Sequence, residues 1–519
     1  MIDTPNQDPQ APDDLQSLRL KATAHHKDTW HSVRLELETI TPVYGGGTTA
    51  GEPDLLLPFR PRAVKNSLRH WWWLLNRNKP EYTNDSAKLY KDMTVIWGGA
   101  NDKDGDSQRA NVRLRVKVKP VEEDKVIPYM PYRIIMHMAT QRLKLQTTVE
   151  APHFYALWML KPKAANLQDL HIKLQSITVW PGHACAATGK NFAERLAEIQ
   201  GLFVDKNMPV RSIVLPGIEW SVSFDMAKSL TQEQKIQVRD SLHAWLMLGG
   251  IGARTTRGLG RSILKVRQTE TKAFQSLSDQ WSPNLTWFSQ AFGNRYALRT
   301  DHKSNPMKSW ETSLNLYKNF RQARQEDQNH RRMKQSYGHL ANSLRKLTGN
   351  EGHSLPPTLK ASRGYPIPEV MFGAPINYQF ITRPGNNPEP ADGKMHLSKD
   401  GTIFDRYTSP LLVTCVRDGD TEFSPVSLCF QHHVSDISDK DIKIKHVHEQ
   451  TVPAGEWWPD LSTIDGQNKA LDWLSEDYRN APHPDPDQLY EELMDAAYRK
   501  DSPTNGDPLI ACLNFFREH

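Results

Sequence analysis

Three arginines, Arg254, Arg257 and Arg261, recur at short intervals inside a stretch that also holds Gly249, Gly250, Gly252, Gly258 and Gly260. Guanidinium is a planar fork of donors matched to phosphate oxygens, and glycine lets a backbone take positive φ and approach another backbone closely. Together they predict a loop that clamps a polyanion. A solvated surface turn would use the same glycines, and the loop alone does not choose between the two. Neither familiar glycine motif is present. Arg254 and Thr255 stand where a dinucleotide fold needs its third glycine, and no Gly-Lys-Ser/Thr ends a P-loop, so no nucleotide cofactor is expected.

A second group of cations lies earlier in the chain. Arg60-Pro61-Arg62 predicts the start of a helix running to about Arg77, since proline suits a first helical turn. Val64, Leu68, Trp71 and Leu75 make its core stripe, and Arg62, Lys65, Arg69 and Trp73 occupy the other side. The basic end is also the helix N-terminus, where exposed amides favour anions. Trp71 is expected to pack inside, while Trp72 and Trp73 point elsewhere and could stack on bases. Just upstream, Thr41 to Tyr44 runs into Gly45-Gly46-Gly47, a second segment able to approach a backbone.

The elements that must position these groups can be read from periodicity. From His31, Val33, Leu35 and Leu37 alternate with Arg34, Glu36 and Glu38, a half-buried strand. Asn111 to Lys119 alternates Val112, Leu114, Val116 and Val118 with Arg113, Arg115, Lys117 and Lys119; its cationic face could meet RNA or only guard a sheet edge. Ile172 to Trp180 and Ile218 to Phe224 read as further strands. Thr231 with Gln234 signals a capping box, and Ile236, Val238, Leu242, Trp245 and Leu246 follow at helical spacing before the arginine loop. Ser262 to Gln268 then reads as a strand. A βαββαβ ferredoxin-like unit with insertions is the simplest fold for this order.

Beyond about residue 270 the composition shifts. Leu314 to Gln325 has a helical pattern, and eight Lys/Arg lie between Lys318 and Lys346, among them Arg331 and Arg332. A solvated helix face and an RNA-contacting one both fit that run. Phe372-Gly373-Ala374-Pro375-Ile376 leads into a strand, as does Arg406-Tyr407-Thr408-Ser409-Pro410-Leu411. The chain of 519 residues thus divides into a polar, disordered tail (1–29), a first domain with the glycine-rich loop (30–269), a second domain with a basic helical insertion (270–434) and an acidic C-terminal extension packed on it (435–519).

Composition narrows the chemistry. A net charge of +5 is modest for this length, so any nucleic-acid surface must come from local clustering. Four cysteines (Cys185, Cys415, Cys429, Cys512) without a C-x-x-C pair argue against a disulfide framework or zinc knuckle and fit a reducing cytoplasm. No stretch reads as a membrane span, and no clustered carboxylates, His-Asp pair or His/Cys set is spaced to hold a metal.

On Thr41-Pro42 with Gly45-Gly46-Gly47, Ser67-Leu68-Arg69-His70-Trp71-Trp72, Trp97-Gly98-Gly99, the loop Gly249 to Gly260, Phe372-Gly373-Ala374-Pro375-Ile376 and Arg406-Tyr407-Thr408-Ser409-Pro410-Leu411, the chain resembles the RAMP superfamily. Within it the likeness is to the first-numbered subunit of the type III-B CRISPR (Cmr) effector complex. The resemblance implies an α+β protein of two ferredoxin-like (RRM-like, RAMP) domains that binds RNA without catalysis. Its partners would be the 3′ region of the guide CRISPR RNA, the target RNA and other Cmr-complex subunits, in antiviral defence, with no cofactor and no membrane. RNA-binding residues would be Arg60, Arg62, Lys65, Arg69, Trp73, Arg254, Arg257, Arg261, Arg331, Arg332 and Arg406, with RNA held in a cleft between the two lobes. The alternative is a metal-independent RNA-processing endonuclease of the same superfamily, using His70, His137 or His153 as general acid or base.

Overall fold

The computed structural model describes residues 29–48, 52–82, 85–99, 108–122, 125–128, 132–137, 142–147, 212–269, 285–293, 295–322, 368–372, 376–378, 393–404, 407, 409–418, 422–430, 440–445, 450–454, 457, 463–473 and 508–518. In chain order the first half contributes β1 (Trp30–Thr39), β2 (Val43–Tyr44), α1 (Pro61–Asn76), α2 (Ser86–Trp97), β3 (Val112–Val118), β4 (Val126–Pro128), β5 (Tyr132–His137), β6 (Arg142–Thr147), β7 (Ser212–Val214), β8 (Glu219–Ala227), α3 (Gln232–Leu248) and β9 (Ser262–Thr269). The second half contributes α4 (Leu285–Phe292), β10 (Tyr296–Leu298), α5 (Pro306–Gln322), β11 (Ile376–Tyr378), β12 (Gly393–Lys399), β13 (Thr402–Ile403), β14 (Leu411–Arg417), β15 (Phe423–Cys429), β16 (Asp441–Lys445), β17 (Gln450–Val452), α6 (Ile464–Trp473) and α7 (Pro508–Glu518).

The protein is α+β. The first unit is a complete ferredoxin-like βαββαβ: β1, α1, β3, β8, α3 and β9 build an antiparallel sheet in the order β3-β8-β1-β9. Period-2 patterning explains its inner face. Val33, Leu35 and Leu37 of β1 pair in register with Phe224, Val222 and Trp220 of β8, and all six are buried. The helices meet that face through Val64, Leu68, Trp71 and Trp72 of α1 and Val238, Leu242, Trp245 and Leu246 of α3. The predicted helix start at Arg60-Pro61 and the Thr231–Gln234 capping box are both present, the latter as reciprocal bonds of 3.0 and 3.2 Å. The cationic strand is an edge: Arg113 lies 4.0 Å over the Trp30 ring and Arg115 pairs with Asp225 at 3.2 Å.

The second unit repeats the plan as far as its second helix. β10, α5, β14 and β15 form a sheet in the order β10-β15-β14, and α7 joins α5 on one of its faces. Leu411, Val413 and Cys415 of β14 face these helices, whereas Leu412 and Val416, with Val426 and Leu428 of β15, join the core of the first unit. The sheet is therefore buried on both sides, and four layers stack: first sheet, α1 with α3, second sheet, α5 with α7. Trp71 closes the seam by meeting Phe430 edge-on at 5.6 Å. The second wall expected for an RNA cleft between the lobes, residues 323–346 and Arg406, lies outside the described residues. Among the described residues the lobes meet in a largely apolar layer, because both faces of the second sheet carry hydrophobic side chains that need cover.

One further expectation changes. The predicted 314–325 helix begins at Pro306, and its Trp310, Leu314 and Tyr317 are core residues. Within the segment expected as an acidic extension, α7 buries Leu509, Cys512, Leu513 and Phe516 against the second sheet. The tail of residues 1–28, the predicted strand 172–180 and Cys185 lie outside the described residues.

Candidate nucleic-acid interface

The glycine–arginine loop is built by backbone meeting backbone. Gly260 donates to the Pro42 carbonyl at 2.7 Å, Ala253 to Tyr44 at 2.7 Å, and Ile251 to Gly260 at 3.0 Å. A methyl group on Gly252, at φ 91°, would sit 2.5 Å from the Tyr44 oxygen, and one on Gly260 only 1.9 Å from the Ile251 oxygen. Gly250 and Gly249 are as tightly placed, against Leu259 and Trp245. The close approach expected of these glycines is thus an approach to the protein itself. Thr41 ties the loop from inside, its hydroxyl donating to Gly258 O at 2.7 Å and accepting from Arg261 N at 2.9 Å.

The three arginines separate sharply. Arg261 is 1% exposed, and its guanidinium donates to the carbonyls of Leu246 at 3.1 Å and Gly249 at 2.8 Å. Those carbonyls end α3, where the helix dipole presents negative charge, so the buried cation has its counter-charge from backbone. Burial pushes its pKa down to about 10, which leaves it charged at neutral pH. Arg257 donates to Leu411 O and to the Tyr317 hydroxyl, each at 2.9 Å, and lies 4.5 Å from the Tyr317 ring centroid. Trp310 Nε1 donates to Arg257 O at 2.7 Å, and Gly258 leaves room for that indole. The expectation that Arg257 and Arg261 contact RNA is corrected accordingly: their terminal N–H groups turn inward to carbonyls and the Tyr317 hydroxyl, and they fasten the loop to α3 and to the second unit. Arg254 differs. It is exposed at the apex in the left-handed region, φ 61°, ψ 28°, where a glycine would sit without strain.

On α1 the predicted basic face is present. No side chain caps its N-terminus, no acidic residue stands in its first turn, and Arg62 is exposed there. Lys65 is half-buried, with its pKa lowered by burial first and Arg69's charge second. Arg69 turns its Nε toward Met93 Sδ at 3.3 Å, and Arg60 pairs with Asp54 at 2.8 Å. Trp73 is half-buried, with Arg77 4.4 Å over its ring and the His70 ring stacked 6.0 Å away. Trp72 is fully buried and donates to Gln237 at 3.1 Å, so it belongs to the core and not to a base-stacking surface.

Backbone contacts bring these pieces to one side. A methyl added to Gly46 would lie 3.8 Å from Pro58 O and 3.9 Å from Gly252 Cα, so the Gly45–Gly47 turn sits between the Arg254 apex and the approach to α1. Gly47 is held by its N–H bond to Glu52 O at 2.8 Å. Sequence reasoning missed Asp54, Tyr317 and Trp310; an aspartate bonding its own backbone two residues on is an Asx-turn signal that would have found the first. Arg331, Arg332, Arg406 and His153 lie outside the described residues. At the other end of α3, Tyr82 donates to Asp92 at 3.0 Å, and its pKa is pushed up to about 12 by burial and then by that carboxylate. Among the described residues no three His, Cys, Asp or Glu side chains gather to hold a metal, and no helix is long and apolar enough to cross a membrane.

Comparison with known proteins matches residues 36–264 to the family model for the RAMP superfamily. The sequence matches no curated protein. Among solved structures, apo Cmr1 from Pyrococcus furiosus is 14% identical over 77% of this chain and 88% of that one, with a TM-score of 0.33. A chain of the type III-B Cmr-beta complex bound to cognate target RNA is 10% identical over 78% and 95%, at 0.37. Cmr4 is 11% identical over 45% and 98%, at 0.18. At these scores the structural likenesses carry no functional argument.

Proposed function

For a chain whose residues 36–264 belong to the RAMP superfamily, we propose the role of a non-catalytic RNA-binding subunit in a type III-B CRISPR ribonucleoprotein effector complex. It engages the guide RNA 3′ region and the target RNA in antiviral defence, beside other Cmr subunits. The observation that carries this reading is the outward basic rim. The uncapped N-terminus of α1 with Arg62 and Lys65, and the strained, exposed Arg254, are brought together around the Gly45–Gly47 turn. A strained non-glycine residue is a functional signal when its side chain has a use, and phosphate is the ligand that suits both a guanidinium and the positive end of a helix.

The test is binding of single-stranded RNA by the full-length chain across a salt series. Affinity should fall linearly on a log–log plot, and unrelated sequences should bind alike. Salt-independent binding, or none, would refute the reading. Incubation with RNA in EDTA, Mg²⁺ or Mn²⁺ should give no discrete products; cleavage lost in His70→Ala would instead establish the endonuclease.

A further inference from the structure

A fixed turn lies between the Gly45–Gly47 segment and α1. Asp54 Oδ1 accepts from the amides of Leu56 at 3.1 Å and Leu57 at 2.9 Å, while Oδ2 accepts from Arg60 at 2.8 Å. The Arg60 bond, followed by the Leu57 amide, holds the Asp54 carboxyl below its usual range. Leu55 packs against the first core, and its carbonyl accepts from Val121 at 2.8 Å. The next two leucines turn outward: Leu56 is 78% exposed and Leu57 41%. They are the only adjacent pair among the exposed large apolar residues described. A single leucine in water is ordinary. Two adjacent leucines ordered by one carboxylate are less so, because fixing the turn costs conformational entropy while Leu56 stays largely in water.

We infer that Leu56 and Leu57 form an apolar wedge that packs against an unpaired RNA base whose phosphates lie on Arg62, Lys65 and Arg254. This rests on the RNA-binding reading above. The collar around the wedge favours RNA over a protein partner. Arg60 and Arg62 follow it within a few residues, the positive N-terminal end of α1 lies beside it, and Gly46 stands between Pro58 and Gly252 on the way to Arg254. The core of a protein–protein patch is depleted of charge, whereas an apolar side chain flanked by cations is the arrangement that meets an unstacked base beside its phosphates. Asp54 has a definite part in this arrangement. It directs the leucines outward and ties the turn to Arg60 at the start of α1.

The experiment uses the full-length chain and single-stranded RNA carrying 2-aminopurine at successive positions. Wild type should raise the fluorescence at a preferred position relative to the phosphates it contacts. Leu56→Ser with Leu57→Ser, on an exposed turn and checked by an unchanged melting temperature, should abolish that rise and weaken binding by about tenfold, with the salt slope unchanged. Asp54→Asn keeps both leucines but loosens the turn, and should give a smaller loss of the same signal. Wild-type-like affinity and fluorescence in the double variant would overturn the wedge while leaving RNA binding intact. Retained RNA binding with lost co-purification of partner subunits would overturn it in favour of a protein-docking patch. Absence of salt-dependent binding by wild type would remove the underlying reading and the wedge with it.

Discussion

The 249–261 loop and the N-terminal end of α1 carry the same chemistry, arginine beside conformationally unusual backbone, and put it to opposite uses. In the loop, Arg257 and Arg261 find main-chain carbonyls at 2.8 to 3.1 Å and become internal fasteners. On α1, Arg62 stands in the first turn of a helix that no side chain caps, and it stays outward. The difference is electrostatic. Arg261 lies at the negative C-terminal end of α3 and Arg257 at a strand carbonyl of the second unit, whereas α1 presents its positive N-terminal end, which repels a guanidinium and attracts an anion. Arginine near glycine therefore says little about RNA until the direction of the nearest helix is known.

Replacing Arg261 with Met would test the fastening half of this comparison most severely. It should destabilise the protein by about 3 kcal/mol, because the Leu246 and Gly249 carbonyls are left buried without donors. A urea midpoint unchanged from wild type would return Arg261 to the list of surface cations. Gly252→Ala should cost about 2 kcal/mol, since its φ of 91° and the Tyr44 oxygen both oppose a Cβ. Calorimetric melting would show it, and a neutral result would mean the two glycine segments are not locked together.

The outward half of the comparison predicts effects on binding without effects on stability. Arg62→Ala with Lys65→Ala should lower the slope of log affinity against log salt by about 1.4, at ~0.7 per phosphate, with melting unchanged. An unaltered slope would take α1 out of the interface. The smallest effect is expected at the apex. Arg254→Gly relieves the left-handed strain, so stability should hold or rise slightly while RNA affinity falls about fivefold. Loss of stability with unchanged affinity would make Arg254 another fastener.

Much of the first unit was legible before any coordinates. Alternation placed β1, β3, β8 and β9 to within a few residues, and Pro61 and Thr231 marked the helix starts, because capping chemistry and one-sided burial act within a few residues of sequence. The second unit was harder to read. β14 and β15 are buried on both faces, so they lack the alternation that separates inside from outside. The roles of the site residues were less legible still.

Residue types and periodicities determined by themselves that this chain has a ferredoxin-like first unit, a glycine loop that must pack closely, and two clusters of cations. Only the tertiary structure decided which cations face water, that Trp72 is core while Trp73 reaches the surface, and that the two units share an apolar layer in the described region. The physical reason is range. Hydrogen-bond geometry and helix periodicity are local, but the carbonyls that take up Arg257 and the indole that meets Gly258 come from residues 411 and 310, and no spacing within the loop reports on them.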